Sequence, residues 1–221
     1  MSDIAFLSFG LVGGRPVFMD ERHDSYFLLE RDLEAEFLVL IDRNGRLEGG
    51  GSPGLRSALG GPYEAVRTVR AKPPHAVRSL LDEIGAAAGP RIGDVLGIAL
   101  HLRHARSAIA TRPIGEILAD LARDAATVPP EPDEDAVVRA AARFIAARRL
   151  VPHARSCLTE SLALLQWLGR PPGAALVFGV KLEPFGAHCW AQFGELLLND
   201  RPDAIAQFRP VRVIECVPAT R

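Results

Sequence analysis

At 221 residues and 48% hydrophobic content, the chain has apolar material for one good core or two small ones. Its 26 basic and 27 acidic residues leave a formal charge of −1, which gives no reason to expect nucleic acid as a partner. No run of about 18 apolar residues is present to cross a membrane. The start, with Asp3 and only a short apolar run, does not read as a signal peptide, and 3 sparse cysteines do not make a disulfide framework, so a reducing cytoplasm is expected.

Residues 1 to about 60 open with three strand-like runs, Ile4 to Phe9, Pro16 to Met19 and Ser25 to Leu29, separated by Gly13-Gly14 and by the polar stretch Asp20 to Asp24. Leu33, Phe37, Leu40 and Ile41 then recur at helical spacing behind an acidic first turn, and Asn44-Gly45 predicts the stop. Gly49 to Gly54 reads as a flexible loop, followed by a short helix about Leu55 to Leu59 and another from Pro74 to Ile84, apolar at Val77, Leu80, Leu81 and Ile84.

Residues about 91 to 126 predict two amphipathic helices, one through Ile92, Val95, Leu96, Ala99 and Leu102, the other through Ile114, Ile117, Leu118 and Leu121. His101 and His104 sit among arginines with no local carboxylate or cysteine to complete a metal site, so a solvated basic face is expected. Thr127 to Asp133, with three prolines, is the clearest linker. A helix then opens on Asp133, Glu134 and Asp135 and ends at Arg148-Arg149, charges placed as its dipole favours.

The next run carries the chemistry. Leu158, Leu162, Leu165 and Leu168 repeat at helical spacing; Ser156 is a plausible N-cap, and Gly169 with Pro171-Pro172 stops the helix, so it should run from about 156 to 168. Cys157 opens its first turn, where the helix dipole and unpaired N–H groups favour thiolate; the same position also suits a small buried hydrophobe. Ala187 to Phe193 alternates like a strand, with Ala187, Cys189, Ala191 and Phe193 on one face and His188, Trp190 and Gln192 on the other. Gly194-Glu195 turns the chain into Leu196 to Asn199, ending at Asp200. A two-residue loop sets position 200 opposite 189, a three-residue loop opposite 188; the longer brings the Asp200 carboxylate to the His188 ring. Thiol, imidazole and carboxylate in that order are the parts of an activated nucleophile with an oriented general base. The final strand is expected at Val211 to Val217, with Cys216 in packing.

Ser156-Cys157-Leu158 opening a leucine-rich helix, then Val177-Phe178-Gly179-Val180, Ala187-His188-Cys189-Trp190 and Leu198-Asn199-Asp200, resembles the transglutaminase-like leader peptidases of lasso peptide biosynthesis over residues 134 to 218. The resemblance implies that Cys157 attacks the leader–core amide of a ribosomally made precursor, His188 is the base and Asp200 orients it, with no cofactor. A Cys157 backbone N–H would help to stabilise the oxyanion; the sequence names no second donor. Leaders in that family usually carry threonine next to last, implying a small pocket. Where the family has alanine after the histidine, this chain has Cys189, a small-for-small change. Helix before strands is also the order of a papain-like or transglutaminase-like core.

By pattern alone, the first part resembles the winged-helix recognition element fused to such peptidases in lasso clusters of many proteobacteria. There the leader adds to the third strand and packs on the third helix, which would implicate Tyr26, Phe27, Leu28, Val77 and Leu81; each could equally be core.

The expectation is therefore an α+β chain: a winged-helix-like, three-strand and three-helix recognition domain (1–87), a helical connector and linker (88–132), and a transglutaminase-like, papain-like cysteine peptidase domain (133–221). A lasso precursor and an asparagine-synthetase-type cyclase are the implied partners. Acyl transfer to an amine, a non-catalytic precursor-binding module, and a zinc site built from the same three residues are the alternatives.

Overall fold

The computed structural model describes residues 6–41, 51–60, 68–70, 76–84, 90–122, 133–152 and 156–216. The expected stop at Asn44-Gly45, the glycines at 49 and 50, and the proline linker up to residue 132 lie outside them. Strands β1 (Leu7–Val12), β2 (Arg15–Asp20) and β3 (Ser25–Leu28) are antiparallel. The β1–β2 turn is closed by Gly13 and Gly14, both at positive φ, as a tight hairpin requires. Helix α1 (Arg31–Leu40) follows, then α2 (Pro53–Ala58), whose first turn is capped by Ser52 accepting from the Leu55 N–H at 3.1 Å. Strand β4 (Thr68–Arg70) joins β1 in parallel, and the sheet order is β3-β2-β1-β4.

Strand alternation gives this sheet two working faces. Leu7, Phe9 and Phe18 turn towards α1 and α2 and close a small core with Leu29, Phe37, Leu55 and Leu59. Phe37 stands edge-on to Phe9 and Phe18 at centroid distances of 5.0 and 4.9 Å. Val12, Val17 and Met19, of opposite parity, belong instead to the large core of the C-terminal half.

Strand β5 (Arg78–Ser79) and helix α3 (Leu80–Glu83) come next. Here the structure corrects the predicted helix from Pro74 to Ile84. Residues 78 and 79 are extended because they pair in parallel with a strand near the end of the chain, Arg78 with Leu196 and Ser79 with Leu197. Helix begins only at Leu80, capped by Ser79 accepting from the Leu81 N–H at 3.1 Å.

Four helices then lead to the second sheet: α4 (Ile92–Thr111), α5 (Ile114–Ala122), α6 (Glu134–Arg148) and α7 (Cys157–Trp167). The buried stripe of α4 is Ile98, Leu102 and Ala105, whereas Ile92 and Leu96 are exposed. Asp94 is drawn inside instead, where its carboxylate accepts from the Arg143 guanidinium of α6 at 3.0 Å. His101 lies edge-on to Trp167 at 5.8 Å, half-buried, and only His104 is exposed. Strands β6 (Ala174–Leu182), β7 (Phe185–Phe193) and β8 (Leu196–Leu197), helix α8 (Pro202–Ile205) and strand β9 (Arg209–Glu215) complete the chain. The second sheet is ordered β5-β8-β7-β6-β9, and α7 covers it with buried Leu162, Ala163, Leu164 and Leu165.

The two sheets meet where β1 crosses β9. A Cβ at Gly10 would lie 2.0 Å from the Pro210 carbonyl oxygen, so only glycine lets the backbones come this close. Beside the crossing, Glu21 is buried against Arg212 at 2.6 Å. Burial raises the Glu21 pKa, and Arg212 opposes that rise. The architecture is α+β, as expected. Among the described residues no helix is long and apolar enough to cross a membrane.

Candidate active site

Ser156 caps α7, its hydroxyl accepting from the Thr159 N–H at 3.3 Å, and Cys157 is the first residue of the helix. Of the 3 free cysteines, Cys157 is partly accessible and Cys189 and Cys216 are buried. Burial pushes the Cys216 thiol up to about 11 and raises Cys189 as well. Cys157 moves the opposite way. A hydrogen bond from His188 lowers its pKa against the opposing effect of burial, and the backbone N–H groups of Cys189 and Leu158 also bond the sulfur. Direction separates the Cys157 thiol from the two buried, packing thiols.

His188 reaches the thiol from β7, and its Nε2 bonds the Asp200 carboxylate. With Nε2 taken, Nδ1 is the nitrogen left for the sulfur. The Asp200 hydrogen bond, and then the Cys157 hydrogen bond, raise His188 from its ordinary 6.5 to about 9. A thiol moved down and an imidazole moved up favour a thiolate–imidazolium pair at neutral pH. Trp190 stacks on His188 at 6.0 Å and Phe208 tilts against it at 5.2 Å. Room for that aromatic wall is made at Gly179, the residue paired with His188 across the hairpin, where a Cβ would stand 2.8 Å from the Trp190 ring.

The route by which Asp200 arrives differs from the expected one. The β7–β8 loop has two residues, with Phe193 opposite Leu196 and Gln192 opposite Leu197, which is the register that faces 200 with 189. The carboxylate reaches His188 all the same, because β8 stops at Leu197 and the chain bends through residues 198–200. Asn199 holds the bend: its Oδ1 accepts from the Ala191 N–H at 2.8 Å and its Nδ2 donates to Ser161 Oγ at 2.9 Å. Ser161 in turn donates to the Cys189 carbonyl at 3.4 Å, so helix α7, strand β7 and the bend share one hydrogen-bond chain. From outside, Ser79 donates to the Asp200 carbonyl at 2.7 Å. Asn199, Ser161 and Ser79 were not singled out from the sequence; Asn199 beside Asp200 was the available hint.

The five residues expected to hold a leader fall in two separate places, three on a strand of the first sheet and two beside β5. Tyr26, Phe27 and Leu28 lie on β3, the edge of the first sheet. Phe27 stacks on Phe18 at 5.0 Å, Leu28 is exposed, and Tyr26 packs towards the C-terminal core. Val77, 64% exposed, precedes β5 and donates its N–H to the Glu195 carbonyl at 3.0 Å; Leu81 is half-buried in α3.

Among the described residues no three His, Cys, Asp or Glu side chains are grouped as metal ligands would be. Residues 98–213 match the family model described as Transglutaminase-like superfamily. No curated protein and no solved structure matches the chain.

Proposed function

The chain belongs to the transglutaminase-like superfamily, and from that premise we propose that it is a cysteine peptidase that removes the leader from a ribosomally made lasso peptide precursor. One observation carries the enzymatic part: the helix-terminal thiol of Cys157, the His188 ring and the Asp200 carboxylate form a continuous hydrogen-bonded series. The Cys157 thiolate attacks the carbonyl carbon of the leader–core amide. His188 gives its proton to the departing amine of the core, leaving the leader as a thioester. Water, losing a proton to His188, then attacks the thioester and releases the leader acid. Asp200 keeps the imidazole oriented and stabilises its positive charge whenever His188 carries the proton.

The leader-processing part rests on the sequence resemblance. It is supported by the position of β3, which among the described residues pairs on one side only, with β2. A leader strand added there gains backbone hydrogen bonds, and Leu28 offers it an apolar contact. Tethering the leader to the recognition domain (1–87) raises the effective concentration of the scissile bond at the peptidase domain (133–221), with 88–132 as connector. A cytoplasmic location and passing contact with an asparagine-synthetase-type cyclase belong to the same reading.

Limiting iodoacetamide at neutral pH, mapped by mass spectrometry, tests the chemistry first. Label is expected on Cys157 in preference to Cys189 and Cys216, and lost in His188→Ala; equal or absent labelling would turn the reading to a non-catalytic binding module. A synthetic precursor then tests the substrate. Release of free leader acid means hydrolysis, whereas a leader carrying an added amine means acyl transfer.

A further inference from the structure

The outward edge of β7 holds the site together through every second residue. Ala191 takes the Leu198 N–H on its carbonyl at 3.0 Å and gives its own N–H to Asn199 at 2.8 Å. Cys189 gives its N–H to the Cys157 sulfur and takes the Ser161 hydroxyl on its carbonyl at 3.4 Å. In an antiparallel pair, successive residues point their backbone groups alternately to the partner strand and away from it. His188 and Trp190 are therefore the residues bonded to β6, and Ala187 is the next whose N–H and C=O both point outward. Strand β8 pairs only with Gln192 and Phe193 and does not extend this far. Among the described residues nothing meets the two Ala187 groups, and the residue is exposed.

An edge with an open donor and an open acceptor is a place for another extended chain. Its neighbour says which chain. The Cys157 sulfur is held at the adjacent outward position of the same edge, two residues or about 7 Å along the strand. A chain laid against Ala187 is thereby carried to the sulfur within about two residues of its own length. The open stretch is short, because at Phe185 the hairpin already meets the Tyr26 ring of β3 at 6.1 Å. A small acyl donor with no backbone amide would leave both Ala187 groups unused.

We propose that Ala187 is the docking point for the acyl donor, its C=O accepting the N–H and its N–H donating to the C=O of one residue of an extended peptide. The open edge of β7 holds that peptide as a short added strand beside Cys157. The substrate class is then a peptide with an unsubstituted backbone amide within about two residues of the bond that Cys157 attacks. The inference rests on the activated-thiol reading above, and the test keeps the two apart.

Chloroacetone and acetyl-alanyl-alanine chloromethyl ketone carry the same reactive group, the second with a peptide backbone attached. Labelling of Cys157 in the full chain, mapped by mass spectrometry, is expected to be about 10-fold faster with the peptide reagent, as two added hydrogen bonds allow. N-methylation of one of its two alanine amides should abolish that advantage. Ala187→Pro, which removes the outward N–H and leaves the bonds to β6 in place, should cut it several-fold, each rate being taken relative to chloroacetone on the same protein. A peptide reagent no faster than chloroacetone overturns the proposal, and so does an advantage that survives both N-methylations or the proline. N-methylation alters only the reagent, so the wild-type chain decides the matter even where the proline variant does not fold. Wild-type protein in which Cys157 takes neither reagent overturns the activated-thiol reading, and the docking proposal with it, before any peptide is compared.

Discussion

Around Cys157, His188 and Asp200 the structure is held by polar side chains: Ser156 accepts from the Thr159 N–H, Asn199 bonds Ser161 and the Ala191 N–H, and Ser79 donates to the Asp200 carbonyl. The first sheet is held on both faces by apolar contact, Phe9 and Phe18 on one side, Val17 and Met19 on the other. The two regions should fail differently. Hydrogen-bonded groups are directional, so losing one changes orientation and protonation while the chain stays folded. Close-packed apolar layers are sensitive to volume, so a misfit there costs stability and leaves the chemistry of the surviving folded molecules alone.

Asp200→Asn gives the largest expected separation of the two. Turnover should fall by about 100-fold, as orientation and charge support for the imidazole are lost, with a melting temperature close to wild type. The pH profile sharpens the point. The imidazolium is present in full below 6.5 and is lost as pH rises through about 9, so the wild-type rate should decline on that basic side. Without the carboxylate, the decline should begin at lower pH. Stability linked to His188 follows the same sign, being complete below 6.5 and lost as pH rises through about 9. A basic limb unmoved in the variant would mean that Asp200 does not set the charge of His188.

Gly10→Val tests the apolar side. A Cβ there meets the Pro210 carbonyl oxygen at 2.0 Å, so β1 and β9 must separate, at a cost of about 3 kcal/mol and roughly 10 °C in Tm. The alkylation rate of Cys157, measured well below the melting point, should stay near wild type. If it drops in step with stability, the sheets are less independent of the thiol than the contact suggests.

Asn199→Ala is the smallest and most instructive change, because it places a stability cost inside the polar region. The Ala191 N–H loses its acceptor within a covered strand, which costs about 2 kcal/mol, read as a shift of the urea midpoint. A few-fold loss of rate is expected with it, since the bend that delivers Asp200 loosens.

What was legible in the sequence follows the same division. Cys157 and His188 announce themselves because their settings are local: a capped helix start and a strand that alternates from Ala187 to Phe193. Asp200 was legible as a partner of His188 only on condition of a three-residue loop; the loop has two residues, and the bend held by Asn199 depends on a partner in α7 that no local pattern reveals. The stretch before Ile84 has helical periodicity, yet the open edge of β8 takes residues 78 and 79 into strand, and long-range pairing outweighs local preference. On α4 the apolar count favoured a face through Ile92 and Leu96; the ion pair of Asp94 with Arg143 turns a different face inward. Tyr26 was singled out for a leader, and nothing in the order Ser25-Tyr26-Phe27 shows which of two aromatic rings will turn to the large core.

The hydrogen bond from Ser79 to the Asp200 carbonyl joins residues 121 positions apart, and that distance orders events in time. Contacts between remote segments form late, after the loop between them has been closed at an entropic cost. During synthesis the Ser79 strand emerges with no edge to join; β8, which supplies that edge, is made only after α7 and the long hairpin. The carboxylate end of the site is therefore secured only once β8 has been made, and until then Cys157 has no oriented imidazole beside it. A nascent chain of this protein carries Cys157 before it carries the imidazole that bonds to it and the carboxylate that bonds the imidazole.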